Sequence, residues 1–144
     1  MDVTENAKRY REKMFPESES SLQNTDPEFV ERLDNFALDE VVNSDDLDDK
    51  TRFTAILASL LGCGGIDAYK TLLPAAMNFG VTATEVKEIV YQATAYLGIG
   101  RTYPFLMATN EALREKGIAL PLPPQAKTTT ENRREYGEQA QIDI

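Results

Sequence analysis

The sequence predicts an all-α fold, a compact bundle of about five to six helices. Apolar residues recur every three or four positions through residues 26–116, which puts them on one face of several successive helices. Glycine and proline residues separate these segments and mark the expected helix ends. No segment shows the alternation of apolar and polar residues that is typical of a half-buried strand.

Size and composition favour a single globular domain. The 144 residues suffice for one hydrophobic core, and 42% of them are apolar. No apolar run approaches the roughly 18–20 residues that span a bilayer, and the polar start of the chain has no signal-peptide pattern. Cys63 is the single cysteine, so no intrachain disulfide is expected. These features predict a cytoplasmic protein.

The net charge of −9 is concentrated at the start of the chain. Residues 1–50 contain 15 acidic and 6 basic side chains, whereas residues 51–144 contain 9 of each. A chain this acidic lacks the basic patch that nucleic acids require, so we expect neither nucleic acid nor a membrane as a partner. We interpret the acidic third as a solvated face; a docking surface for a basic partner is the alternative.

The domain organisation follows from the composition. Residues 1–25 are polar and are predicted to form an N-terminal arm, with a short helix from Ala7 to Met14 and a loop from Ser18 to Thr25. Residues 26–120 carry the helical periodicity and are predicted to form the helical domain.

The first helix of this domain is expected to start at Asp26 and Pro27, because Asp caps exposed amides and Pro suits the first helical position. It is expected to end near Val42, and the acidic loop from Asn43 to Asp49 then caps the next helix. The loop lacks the central Gly and late Glu of a calcium-binding loop. The apolar face of the first helix consists of Phe29, Leu33, Phe36 and Val41.

Two further core helices are expected from Lys50 to Leu61 and from Ile66 to Phe79, on either side of the turn Gly62–Gly65, which contains Cys63. Pro74 is expected to kink the second of these helices or to divide it into two. The predicted inward residues are Phe53, Ile56, Leu57, Leu60 and Leu61 in one helix, and Ile66, Tyr69, Leu72, Leu73, Ala76 and Met77 in the other.

Gly80 is expected at the left-handed position after the second helix. Thr82 and Glu85 form the capping-box pattern that starts a third helix, which should stop at Gly98–Gly100. The last long helix is predicted from Arg101 to Lys116. The apolar face of the third helix consists of Val86, Ile89, Val90, Ala93 and Leu97.

The final segment, residues 121–144, begins with three prolines that exclude a helix there. A helix is predicted from Glu131 to Gln141, but the segment is too polar to bury itself. We therefore expect it to pack on a neighbouring subunit or to be disordered.

Several motifs share the order and spacing of a known family: Lys50-Thr51-Arg52, Gly80-Val81-Thr82, Glu88-Ile89 with Gln92, and Tyr96-Leu97-Gly98. Through them, residues 25–140 resemble the carboxymuconolactone decarboxylase family. The resemblance implies an alkylhydroperoxidase D-like fold. It also implies a homo-trimer or homo-hexamer with pockets near the subunit interfaces.

The chain departs from this family at its reactive positions. The decarboxylases carry a histidine eight residues before the glycine of the Gly-Val-Thr motif, and here that residue is Leu72. The alkylhydroperoxidase-like members carry Cys-x-x-Cys followed by histidine, whereas this chain has Cys63 alone and no histidine. Ser-His-Asp and Cys-His catalysis and histidine-rich zinc sites are therefore excluded. We expect no metal ion and no cofactor.

General acid–base chemistry would then fall to other side chains. Glu88 and Tyr96 are the candidate proton-transfer residues, because with Gln92 they are spaced four apart on one helix face. Gln92, Arg52 and Arg101 are the candidate substrate-binding residues, since arginine pairs well with a carboxylate. Cys63 is the candidate thiol. The alternative is that these residues only stabilise helix packing or lie at the surface.

Three functions remain open on the sequence. The first is a lyase that acts on a small carboxylated lactone or a related acid, and the second is a thiol-dependent peroxidase that uses Cys63 alone. The third is a family member without catalysis that serves as a binding or assembly protein. The missing histidine weakens the first, and the missing second cysteine weakens the second more.

Overall fold

The computed structural model describes residues 2–16 and 22–144, and these ranges contain eight α-helices and no strand. The all-α prediction is confirmed. The helix number exceeds the expected five to six because four shorter helices accompany the four long ones. The helices are α1 (Glu5–Met14), α2 (Leu22–Thr25), α3 (Pro27–Asn35), α4 (Asp49–Cys63), α5 (Ile66–Asn78), α6 (Ala83–Leu97), α7 (Ile99–Glu115) and α8 (Arg133–Ile142).

Four helices, α4 to α7, form the centre of the molecule. Helix α4 packs against α5 and α6, and α7 packs against the same two helices, so the four close around one core. At its centre Tyr69 is fully buried and meets the ring of Phe105 edge to face at 5.1 Å. The Tyr69 hydroxyl is 2.7 Å from Thr109 Oγ1. Burial raises the pKa of Tyr69 to about 12, so this hydroxyl stays protonated.

Helix α1 belongs to the packed structure. Its Tyr10 ring stacks on Phe79 at 5.1 Å, and Phe79 stacks on Phe53 of α4 at 4.8 Å. The Tyr10 hydroxyl donates to Asp49 at 2.6 Å. Three residues of α1 are buried, at positions 7, 10 and 14. The polar sequence of residues 1–25 therefore includes a helix that covers one side of the core.

The prediction for the apolar face of the first domain helix was wrong. Phe29 and Phe36 are each 58% exposed and Leu33 is 46% exposed, whereas Val30 and Asp34 are buried. The reason is Arg11 of α1, whose guanidinium pairs with Asp34 and so turns that face of α3 inward. The fourth residue of the predicted face, at position 41, is also exposed.

Several predicted boundaries also differ. Helix α3 ends at Asn35 and passes into a five-residue π-helical turn, Phe36–Glu40, instead of continuing to Val42. Leu22–Thr25 form a helical turn where a loop was predicted; residues 18–21 of that loop lie outside the described residues.

The glycine and proline signals marked helix ends only in part. Helix α4 continues through Gly62 and ends at Cys63. Gly64 follows in the left-handed conformation, which glycine adopts easily and which ends the helix. Helix α5 continues through Pro74 without a break. Gly98 alone separates α6 from α7, so Ile99 already belongs to α7.

Helix α6 starts as the sequence predicts. The Thr82 hydroxyl accepts from the Glu85 amide, and Glu85 Oε2 accepts from the Thr82 amide at 2.8 Å, which completes the capping box. Lys50 Nζ pairs with the second oxygen of Glu85 at 2.8 Å and ties α4 to this helix start. Val86 and Val90 are buried. The other three residues of the predicted face, at positions 89, 93 and 97, are half-buried and pack against the core.

Residues 118–130 cross the surface without a helix, and α8 follows. Every residue of α8 is exposed, in keeping with its polar sequence. None of the described helices is long and apolar enough to cross a membrane.

Replacing Leu73 with alanine is expected to lower the free energy of unfolding by about 2–5 kcal/mol, because the buried side chain leaves a cavity. Leu33→Ala is the matched control, with an expected cost of about 1 kcal/mol or less, since Leu33 is half exposed. Urea titration followed by circular dichroism measures both. Equal losses in the two variants would put Leu33 in the core and contradict the orientation of α3.

Replacing Glu85 with glutamine should change how stability depends on acid. The Lys50 ammonium and the Thr82 amide and hydroxyl hold the pKa of Glu85 at about 2, below its usual 4.5. A carboxylate whose pKa is lowered by folding stabilises the fold above its unfolded pKa, and this contribution disappears as the pH falls through the folded pKa. The wild type should therefore lose its advantage over Glu85→Gln between about pH 4.5 and about pH 2.

Glutamine can still complete a capping box, so Glu85→Gln removes only the charge. Thermal melts across this pH range measure the difference between the two proteins. Glu111→Gln, at an exposed position of α7, controls for the loss of one negative charge. A difference from the wild type that stays constant over the whole range would contradict the assignment.

Candidate functional site

The six predicted site residues lie in three different places. Glu88, Gln92 and Tyr96 line one groove, Cys63 and Arg101 line a second cavity, and Arg52 lines a third. The structure therefore does not combine either arginine with Glu88 and Tyr96 in one pocket. The roles assigned to the six residues stay predictions.

The groove with Glu88, Gln92 and Tyr96 has a volume of about 450 Å³ and lies between α4 and α6. Gln92 Nε2 donates to Glu88 Oε2 at 3.3 Å, as their spacing of one helical turn allows. Tyr96 is 89% exposed, so its ring is almost wholly in solvent. No lysine or arginine lines this groove, which leaves a substrate carboxylate without a cation there.

The cavity with Cys63 and Arg101 is small, about 170 Å³, and lies where the end of α4 meets the start of α7. Cys63 is exposed, and its Sγ lies 3.6 Å from the carbonyl oxygen of Leu60 in the preceding turn. Cys63 therefore has an arginine side chain in the same cavity but no second thiol, since it is the single cysteine.

Arg52 is buried, with 8% of its surface exposed. Its Nη2 donates to the carboxylate of Asp45 at 2.8 Å and to the carbonyl oxygens of Leu47 and Val42 at 3.2 and 3.3 Å. These contacts attach the acidic loop to α4. Among the described residues, Arg52 Nε is the one buried side-chain nitrogen or oxygen atom that has no hydrogen-bond partner. A buried donor without an acceptor is costly, so Nε is suited to bind an added one.

Arg52 lines a cavity of about 430 Å³ between α1, α3, α4 and α5, which we call the Arg52 cavity. Its wall is mostly apolar and includes Phe53, Ile56 and Leu72. The other polar side chains of the wall already have partners: Asp34 pairs with Arg11, Tyr10 donates to Asp49, and the Thr71 hydroxyl donates to the carbonyl oxygen of Asp67. Arg52 is therefore the polar side chain of this wall that has a donor without a partner.

Tyr10 is a site residue that the sequence reasoning missed. Burial, and next the hydrogen bond to Asp49, raise the pKa of its hydroxyl, so Tyr10 keeps its proton and acts as a donor. Nothing in the polar sequence around Tyr10 signals this role, because only the docking of α1 brings the ring to the cavity. Two cations on a further cavity, Lys87 and Arg114, were also missed.

Among the described residues, no three Cys, Asp or Glu side chains converge in a way that would hold a metal ion. The expectation that the protein needs no metal stays a prediction.

Comparisons with known proteins agree with the architecture. A sequence model described as the carboxymuconolactone decarboxylase family matches residues 27–114. Among curated proteins, the 4-carboxymuconolactone decarboxylase of Acinetobacter baylyi is 30% identical over 108 residues, which cover 75% of this chain and 81% of that protein. The match to the family spans α3 to α7 and therefore includes the four-helix core.

Proposed function

Because this chain belongs to the carboxymuconolactone decarboxylase family, we propose that it is a carboxy-lyase that acts on a small carboxylated lactone or a related acid. The observation that carries the proposal is Arg52, a buried arginine that lines an apolar cavity and whose Nε lacks a hydrogen-bond partner among the described residues. Leu72, at the position where the decarboxylases carry histidine, lines the same cavity.

The Arg52 cavity has the features that a small acid requires. Its volume of about 430 Å³ is in the usual range of about 300–1,000 Å³ for small-molecule pockets. A carboxylate that accepts from Arg52 Nε forms a charge-assisted hydrogen bond. The apolar side chains of Phe53, Ile56 and Leu72 contact the ring of the bound lactone. The acid group and the ring thus each have a complementary part of the wall.

Decarboxylation in this cavity does not need a histidine. The bond between the carboxylate carbon and the lactone breaks, CO2 leaves, and the electron pair passes into the conjugated lactone carbonyl. A proton from water then replaces the lost group. Apolar surroundings favour this step, because the localised charge of a carboxylate loses more hydration than the delocalised charge of the transition state. Arg52 orients the acid, and Tyr10, whose hydroxyl proton is donated to Asp49, is a neutral part of the wall.

The other candidate sites support this function less well. Glu88 and Tyr96 share a groove that no lysine or arginine lines, and the second cavity that Glu88 lines, which contains Lys87 and Arg114, does not include Tyr96. Cys63 shares its cavity with Arg101, but a two-thiol peroxide cycle needs a second cysteine.

We also propose that the chain associates with copies of itself. Ile99, Tyr103 and Met107 are spaced four apart along α7 and are 60%, 55% and 47% exposed. Tyr96, at the end of α6, is 89% exposed and precedes this stripe. Exposed apolar surface of this extent is typical of a protein–protein contact, and a second copy is the partner that the family resemblance implies.

The lyase proposal is tested with a γ-carboxylated butenolide as the probe and its methyl ester as the neutral control. Isothermal titration calorimetry should show binding of the acid and weaker binding of the ester. Arg52→Lys should weaken binding of the acid about tenfold or more, because a hydrogen bond to a charged group contributes about 1.5–3 kcal/mol. The wild type should also release CO2 from the acid.

Because Arg52 is buried, Arg52→Lys could lose binding by destabilising the fold. A second variant at an exposed position avoids this problem. Ala68 is exposed and lines the Arg52 cavity, so Ala68→Phe should fill the cavity and abolish both binding and CO2 release. The matched control is Ala58→Phe, at an exposed position on the groove between α4 and α6. Unchanged binding in Ala68→Phe would show that the acid binds elsewhere. If the wild type binds the acid but releases no CO2, the lyase activity is contradicted and only a binding function is left.

Self-association is tested by light scattering at micromolar concentration, which should give a mass well above 16.1 kDa. Tyr103→Asp should lower that mass, because it puts a charge into the apolar stripe. Phe29→Asp in α3 is the matched control, since Phe29 is 58% exposed and Tyr103 is 55% exposed. A monomeric wild type, or an equal effect of both variants, would contradict the proposed contact.

A further inference from the structure

A separate cavity of about 410 Å³ lies where residues 120–125 cross α6 and α7. We call it the Lys87 cavity. Lys87, Glu88 and Tyr91 belong to its α6 wall, and Asn110 and Arg114 belong to its α7 wall. Arg52 is not part of it, so a ligand in this cavity would be independent of the lyase proposal.

Lys87 is held in a defined position. Its ammonium donates to Asn110 Oδ1 at 2.6 Å and lies 5.3 Å from the centre of the Tyr91 ring. An ammonium has three N–H donors, and the contact with Asn110 uses one of them. The other two remain for a ligand. Because the side chain is held by two neighbours, little rotamer freedom is lost when a ligand binds.

Arg114 is the second cation. It follows Asn110 by one helical turn on α7, and its side chain has no hydrogen bond or ion pair with the part of the chain that the structure describes. Four other arginines have carboxylate partners, namely Arg11, Arg32, Arg52 and Arg134, whereas Arg9, Arg101 and Arg133 resemble Arg114 in having none among the described residues. The guanidinium of Arg114 therefore has all its donors available.

The charge of the wall favours a singly charged anion. Lys87 and Arg114 are its two cations and Glu88 is its one acid, so the wall is net positive in a protein whose net charge is −9. The wall has one net positive charge, which one carboxylate neutralises, whereas a phosphate dianion would leave the wall and the ligand together with one net negative charge.

The rest of the wall is suited to a flat apolar group. Residues 120–124 are two leucines and three prolines, and the Tyr91 ring is half exposed beside them. Aromatic and proline surfaces pack well against planar rings. We infer that the Lys87 cavity binds a small monocarboxylic acid with a flat apolar body, whose carboxylate is held by Lys87 and Arg114.

Benzoate is the probe, benzamide is its neutral counterpart, and inorganic phosphate tests for a general anion site. Isothermal titration calorimetry at low salt should show that benzoate binds more tightly than benzamide or phosphate. Lys87→Gln and Arg114→Gln should each weaken benzoate binding at least about threefold, as expected for partly exposed ion pairs. Lys70→Gln, which removes an exposed lysine of α5 away from the cavity, should leave binding unchanged.

Arg114 is exposed, so Arg114→Gln should fold normally. A benzoate affinity of Arg114→Gln equal to that of the wild type would overturn the inference, as would equal binding of benzoate and benzamide or the absence of binding at millimolar benzoate. If phosphate binds as tightly as benzoate, the cavity is a general anion site and the apolar specificity is wrong. Ala68→Phe should bind benzoate normally, which separates this result from failure of the lyase proposal.

Discussion

The buried ion pair between Arg11 of α1 and Asp34 of α3 sets the arrangement of the outer helices. Asp34 is 3% exposed and accepts from Arg11 Nε at 2.6 Å. A carboxylate at that depth is strongly destabilising without its partner, so α3 can only pack with Asp34 facing α1. Phe29 consequently remains outside. Both members of the pair, and Leu38 of the following turn, line the Arg52 cavity, so the same contact also shapes the proposed site.

The Arg52 cavity combines two requirements that usually conflict. An apolar wall strengthens electrostatic interactions but makes an unpaired charge costly. Here the Asp45 carboxylate neutralises the Arg52 guanidinium and the carbonyl oxygen of Leu47 accepts a hydrogen bond from it, so the buried charge is tolerated although Nε has no partner among the described residues. The acidic loop caps α4 and therefore also holds the Arg52 guanidinium in place at the cavity wall.

The candidate site could be predicted only in its parts. Helical spacing placed Glu88, Gln92 and Tyr96 on one face of α6, because these residues are neighbours on a single helix. Arg52 and Arg101 lie on different helices, and which cavities they line depends on how those helices pack. Their separation from Glu88 could not be read from spacing along the chain. For the same reason Lys87 and Arg114 gave no signal, since α6 and α7 meet only in the fold.

The sequence by itself determined which segments are helical and which residues cap several of the helices. The Thr82 capping box and the left-handed Gly80 are local features that involve residues within one turn of each other, so they need no tertiary contact. Tertiary structure decided which face of α3 is buried and which side chains share a cavity. The apolar residues of a short helix such as α3 allow more than one of its faces to be buried. Which face is buried depends on a partner such as Arg11, which lies 23 residues from Asp34 along the chain. Only folding brings the Arg11 guanidinium to the Asp34 carboxylate.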